Sequence, residues 1–123
     1  MPRILLIDDD DAVRLVLRTS LELMGHSVAV ASNGREGLET ALAEKFDLVI
    51  TDLIMPEKEG IETIQELHRR QPALRIIAMS GGGRGNAADY LPLAGLLGAN
   101  RTLAKPFSHD ELEQAVNEVL ARK

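Results

Sequence analysis

Ile4-Leu5-Leu6-Ile7-Asp8-Asp9 sets four consecutive apolar side chains directly against two carboxylates, and the same figure returns three times further along the chain. Leu48-Val49-Ile50-Thr51 stops at Asp52, Ile76-Ile77-Ala78-Met79 stops at Ser80, and Thr102-Leu103-Ala104 stops at Lys105-Pro106. A strand whose apolar residues run on without alternating is buried on both faces, which calls for parallel neighbours and a helix layer on each side. Each run ends on a residue that can handle phosphate or a metal ion. Adjacent parallel strands would gather these ends into one pocket of three carboxylates, a hydroxyl and an ammonium.

Between the runs lie longer stretches with helical spacing. Val13, Val16, Leu17, Ser20 and Met24 form a stripe closed by Gly25, and Leu38, Ala41 and Leu42 form a second. Ile61, Ile64 and Leu67 form a third, which stops before Pro72. Leu112, Ala115, Val116, Val119 and Leu120 form the last, preceded by Ser108 and Glu111 in a capping-box pattern. With a further apolar run near residues 27–31, strand and helix alternate five times. That pattern predicts an α/β fold: a flavodoxin-like (βα)5 three-layer sandwich around a doubly wound, five-stranded parallel sheet in the order 2-1-3-4-5. Ligands of such sheets sit beyond the carboxyl ends of the strands, at the switch point between the first and third. Those two strands end in Asp8-Asp9 and Asp52. The stretch before the fifth strand is less regular. Ser80-Gly81-Gly82-Gly83-Arg84-Gly85-Asn86 predicts a glycine-rich loop. Pro92, at a cost of about 3 kcal/mol inside a helix, predicts a fourth helix that begins late or bends.

At 123 residues the chain is expected to be one domain, 1–123, with no output domain attached. Its 45% apolar content suits a globular protein, and no apolar stretch approaches the roughly 20 residues needed to cross a bilayer. Without cysteine there is no disulfide or thiol chemistry, and a reducing cytoplasm is the expected compartment. A net charge of −5, no larger basic cluster than the pairs Arg69-Arg70 and Arg122-Lys123, and three aromatics (Phe46, Tyr90, Phe107) argue against a nucleic-acid surface. The expectation is therefore no DNA and no membrane among its partners. His26, His68 and His109 lie about 40 residues apart with no ligand spacing, and surface positions are expected for all three.

The pocket poses an electrostatic problem. At about 4–5 Å and an effective dielectric of about 20, each pair among Asp8, Asp9 and Asp52 costs roughly 3–4 kcal/mol. A hard divalent cation resolves this, because Mg²⁺ (or Mn²⁺) takes oxygen ligands and commonly combines one or two carboxylates with a phosphate. Lys105 can pair with Asp52 or with a phosphoryl oxygen, and Ser80 can donate to another. Carboxylate nucleophile, metal, lysine and hydroxyl are the parts that stabilise in-line phosphoryl transfer. Asp10 or Asp11 is expected to cap the first helix.

Over its whole length the chain resembles the receiver domain of two-component response regulators, in its stand-alone, CheY-like form. The matching motifs are Ile7-Asp8-Asp9, Asp52-Leu53-Ile54-Met55-Pro56 with Gly60, Ser80-Gly81 and Lys105-Pro106-Phe107. The resemblance implies that Asp52 accepts a phosphoryl group from the phosphohistidine of a sensor histidine kinase or a histidine phosphotransfer domain. It implies that Asp9, Asp52 and the backbone carbonyl of Ile54 ligate the metal, with Asp8 acting largely through water. Ser80 and Lys105 would hold phosphoryl oxygens, and the Lys105–Pro106 bond would be cis. A downstream protein target would dock on the face made by the fourth helix, fifth strand and fifth helix.

The chain departs from the family at Thr102, where receivers usually carry a switching aromatic, and in a glycine-rich loop about three residues longer than usual. A switch relayed by that loop and the bent fourth helix, with Tyr90 as substitute aromatic, is the expected replacement. Ile54 and Gly82 would flank the line of water attack on the acyl phosphate. The rival reading is a haloacid-dehalogenase-like Mg²⁺-dependent phosphohydrolase with Asp8 as nucleophile. Ala12 stands where that family expects a hydroxyl, and no cap domain is expected in a chain read as one domain of 123 residues. A flavodoxin-like cofactor binder would want a phosphate cradle where the first loop is acidic.

Overall fold

Parallel pairing of five short strands builds the molecule, in the order β2-β1-β3-β4-β5. The computed structural model describes residues 2–53, 59–80, 98–105 and 107–121, with the backbone alone described at 59 and 60. Along the chain these form β1 (Arg3–Ile7), α1 (Asp11–Leu23), β2 (Ser27–Ala31), α2 (Gly34–Ala43), β3 (Leu48–Asp52), α3 (Glu59–Arg70), β4 (Arg75–Ser80), β5 (Arg101–Ala104) and α4 (His109–Ala121). The expected doubly wound α/β sheet and its strand order are therefore present. The glycine-rich stretch, Gly82, Tyr90, Pro92 and the helix expected before Gly98 lie outside the described residues, as do Ile54 and Pro106.

Alternate strand residues feed two separate cores, as a sheet buried on both faces requires. Ile4, Leu6, Leu48, Ile50, Ile77, Met79 and Leu103 pack with Leu17 and Leu21 of α1 and with Leu112, Ala115, Val116 and Val119 of α4. On the opposite face Leu5, Ile7, Val49, Leu53, Ile76 and Ala78 pack with Ala41 of α2 and with Ile64 and Leu67 of α3. The three layers follow.

The expected stripe of α1 is out of phase. Val16 is 62% exposed, whereas Leu21 is fully buried, so the inward face runs through Val13, Leu17, Leu21 and Met24. Leu15 and Leu23 are also exposed, so apolar residues surround this helix and spacing alone leaves its rotation ambiguous. The end of the helix is set by Gly25, at φ +94°, whose N–H donates to the Glu22 carbonyl. In α2 the inward position belongs to Gly37. A methyl group there would lie 2.3 Å from Cδ1 of Ile7, so only glycine lets the helix come this close to β1. Leu42, expected to be inside, is 42% exposed.

The stripes of α3 and α4 are as expected. Ile64 and Leu67 are buried with Ile61 packed beside them, and Leu120 lies against the α4 core. The capping box is formed: the Ser108 N–H donates to Glu111 Oε1 and the Glu111 N–H to Ser108 Oγ, both at 3.1 Å.

Candidate functional site

Strand register decides which side chains meet. Ile7 pairs with Thr51, so the next residues, Asp8 and Asp52, stand level at the ends of β1 and β3. Asp52 pairs with Met79, which brings Ser80 alongside. Ser80 pairs with Ala104, and the Lys105 N–H extends that ladder to the Ser80 carbonyl at 2.6 Å. The four interrupted runs thus end on one rim of the sheet.

Asp8, Asp9 and Asp52 each bring a carboxylate oxygen within 4.8 Å of the others. Asp8 is fully buried and Asp52 is 6% exposed, while Asp9 lies at the open edge. Lys105 Nζ bridges the two buried carboxylates, 2.9 Å from Asp8 Oδ2 and 3.2 Å from Asp52 Oδ2. The closer partner is Asp8, although the sequence pointed to Asp52. Burial pulls the lysine pKa down, but the hydrogen bond that Lys105 donates to Asp8 and the charges of Asp52 and Asp8 outweigh it and leave it above the usual lysine value. The ammonium stays charged at neutral pH. One positive charge against three negative ones still leaves a surplus that a divalent cation would balance.

Asp8 is held from every side. Its Oδ1 accepts from the Asp10 N–H at 2.9 Å, its Oδ2 from Lys105, and its backbone carbonyl from Arg14 Nη1 at 2.7 Å. Asp10, not Asp11, caps α1, accepting from the N–H groups of Ala12 and Val13. Arg14 also pairs with Asp11. The sequence reading missed Arg14. The signal was available: a basic residue in the first turn of a helix opposes the macrodipole and is costly without a local reason.

Ser80 is the opposite case. It is fully buried, and its Oγ has no hydrogen-bond partner among the described residues. A buried hydroxyl without a partner is rare and costly, so a ligand that supplies an acceptor is the natural explanation. Thr102 is half-buried on β5 opposite Ala78, on the α2–α3 side of the sheet.

The histidine expectation needs one correction. His68 and His109 are exposed, but both ring nitrogens of His26 are buried without a partner among the described residues, and burial lowers its pKa. The residue sits between α1 and β2, where its backbone N–H donates to the Leu21 carbonyl. His26 is at the end of the sheet remote from the aspartates, so it belongs to no ligand set.

The family model of the response regulator receiver domain matches residues 4–117. The response regulator MprA of Mycolicibacterium vanbaalenii is 37% identical over 98% of this chain and 51% of its own length. The alkaline phosphatase synthesis transcriptional regulatory protein PhoP of Bacillus subtilis is 32% identical over 98% of this chain and 49% of its own. The chain therefore spans about half the length of these curated relatives. Among solved structures, the response regulator TrrA of Thermotoga maritima in complex with Mg²⁺-BeF superposes with a TM-score of 0.86 at 30% identity, over 97% of this chain and 99% of that one.

Because PhoP is by name a transcriptional regulator, the exclusion of DNA is withdrawn for any longer protein and rests only on this domain's own acidic charge. No helix among the described residues is long and apolar enough to cross a membrane. The hydrolase alternative is not favoured: the family match runs against it, and Asp8 has both carboxylate oxygens engaged in a fully buried position, which is poor preparation for a nucleophile. This chain belongs to the receiver domains of two-component response regulators, and its role is signalling.

Proposed function

We propose that the domain accepts a phosphoryl group on Asp52 from the phosphohistidine of a sensor histidine kinase or histidine phosphotransfer domain. The reaction depends on Mg²⁺ (or Mn²⁺), and the resulting acyl phosphate changes which proteins the domain binds. The observation that carries this reading is the meeting of three carboxylate oxygens within 4.8 Å, a lysine bridging two of them, and a buried hydroxyl with no partner.

The donor set fits a hard cation. Asp9 and Asp52 would hold it directly, with Asp8 acting through water and the Ile54 carbonyl, outside the described residues, completing the protein's share. When bound, the ion supplies charge neutralisation to the phosphoryl oxygens. The chain's own residues do the rest. An Asp52 carboxylate oxygen forms the new bond to phosphorus as the P–N bond to the imidazole breaks. The bonding pair leaves with the imidazole nitrogen. Lys105, already 3.2 Å from Asp52, offsets the charge that gathers on the phosphoryl oxygens. Ser80 donates to another of these oxygens and gains the partner it lacks.

A protein donor is supported by the surface beside Lys105. An apolar groove of about 310 Å³, lined by Ala12, Val13, exposed Val16, Leu17 and Phe107, includes Lys105, which contacts the acceptor Asp52. Residues flanking a phosphohistidine would rest there. The phosphorylated domain would signal through the face of the fourth helical stretch, β5 and α4, within the cytoplasm. With Thr102 where a switching ring is usual, the change at Ser80 would pass to the stretch after β4.

The test is acyl-phosphate formation with a small-molecule phosphodonor, with and without Mg²⁺, in wild type and Asp52→Asn. Label that depends on Mg²⁺ and on Asp52 is expected. Equal labelling of the two proteins would overturn the reading.

A further inference from the structure

We infer that Arg14 is a positioning residue that aims Asp9 at the metal, an inference that rests on the metal-dependent reading above. Asp9 is the one member of the acidic group that is exposed, and no hydrogen bond among the described residues holds its carboxylate. Asp8 is fixed through both carboxylate oxygens, and Asp52 is fixed by its strand and by Lys105. Asp9 can be aimed only through its backbone.

Arg14 does this across one peptide group. Its Nη1 donates to the Asp8 carbonyl at 2.7 Å, and its other amino group pairs with Asp11. A peptide group is planar, so fixing the Asp8 carbonyl oxygen fixes the plane that ends at the Cα of Asp9. The guanidinium is itself placed: it sits in the first turn of α1, is only 17% exposed, and spans both sides of the loop with a rigid fork. A lysine has a single ammonium and cannot span both partners in the same way.

A purely electrostatic role makes the opposite forecast. A fixed positive charge beside the acidic group competes with a cation, so its removal would tighten binding.

The experiment measures Mg²⁺ binding to wild type, Arg14→Lys and Arg14→Gln by titration calorimetry, alongside thermal unfolding without metal. Positioning predicts that both variants bind Mg²⁺ about 3- to 10-fold more weakly. It also predicts that the phosphorylation deficit of Arg14→Lys shrinks as Mg²⁺ is raised, which a loss of folding would not produce. Tighter binding by Arg14→Gln with wild-type binding by Arg14→Lys would overturn the inference. So would lowered thermal stability with unchanged Mg²⁺ affinity. A wild-type protein that binds no Mg²⁺ would instead remove the function proposed above, a separate failure visible in the control alone.

Discussion

Asp8 and Ser80 end strands of one sheet, and both are completely buried, yet their polar atoms meet opposite fates. Every oxygen of Asp8 has a donor: the Asp10 amide, Lys105 and Arg14. The Ser80 hydroxyl has none among the described residues. Leaving a buried polar group unpaired costs about 1–3 kcal/mol, so the difference separates two kinds of residue. Asp8 belongs to the scaffold that is complete before any ligand arrives. On the proposed reading, Ser80 belongs to the part that a ligand completes.

The strongest way to break this distinction acts on the residue between them. Asp52→Asn removes the proposed nucleophile, and acyl-phosphate labelling should fall by roughly 100-fold or more. Labelling retained in that variant and lost in Asp8→Asn would make Asp8 the reacting group.

Lys105→Met attacks the completed half. Removing one member of a buried ion pair leaves charges without compensation, so the variant should lose about 3 kcal/mol in denaturant unfolding at neutral pH. The pH dependence has a definite sign. A lysine whose folded pKa is raised stabilises fully below its ordinary value near 10.4 and loses that contribution as pH climbs through the folded value. The gap between wild type and Lys105→Met should therefore stay constant through neutrality and close in strong alkali. A gap that closes toward acid would show that carboxylate protonation dominates instead.

Ser80→Ala attacks the incomplete half and should behave differently. Deleting a hydroxyl that has no partner among the described residues should leave the unphosphorylated protein as stable as wild type, or more stable by up to about 1 kcal/mol, while slowing phosphorylation. A clear loss of stability would mean that Ser80 is satisfied in solution and is no reporter of a ligand.

The smallest effect concerns the other buried atoms without partners, in the His26 ring. Burial holds its pKa below the usual value near 6.5, so the unfolded chain takes up the proton first. Stability should be flat above neutrality and decline as pH falls through about 6.5, and His26→Gln should lack that part of the slope. His26 sharpens the comparison, because it shows that a missing partner marks a ligand site only where other groups converge on the same space.

The sheet was legible because each strand carries its own evidence. Continuous apolar runs reveal burial on both faces, and the residue that ends each run keeps its place at the rim whatever the helices do. Asp8, Asp9, Asp52, Ser80 and Lys105 could be assembled from topology alone. The helices were less legible where composition was uninformative. Apolar residues surround α1, and its spacing gave a stripe through Val16 that the packing rejects in favour of Leu21. Partner choice was harder still. That Lys105 lies nearer Asp8 than Asp52, and that Arg14 reaches a carbonyl six residues back, depends on side-chain reach and strand twist, which leave no periodic trace.

The bond between Lys105 and Asp8 joins residues 97 positions apart. Closing a loop of this length costs entropy that the contacts across it must repay. Before β5 takes its place, the three aspartates would confront one another without their counter-charge. On the proposed reading, acceptor competence depends on β5 being in place: a chain without that strand would lack the lysine that offsets its buried aspartates.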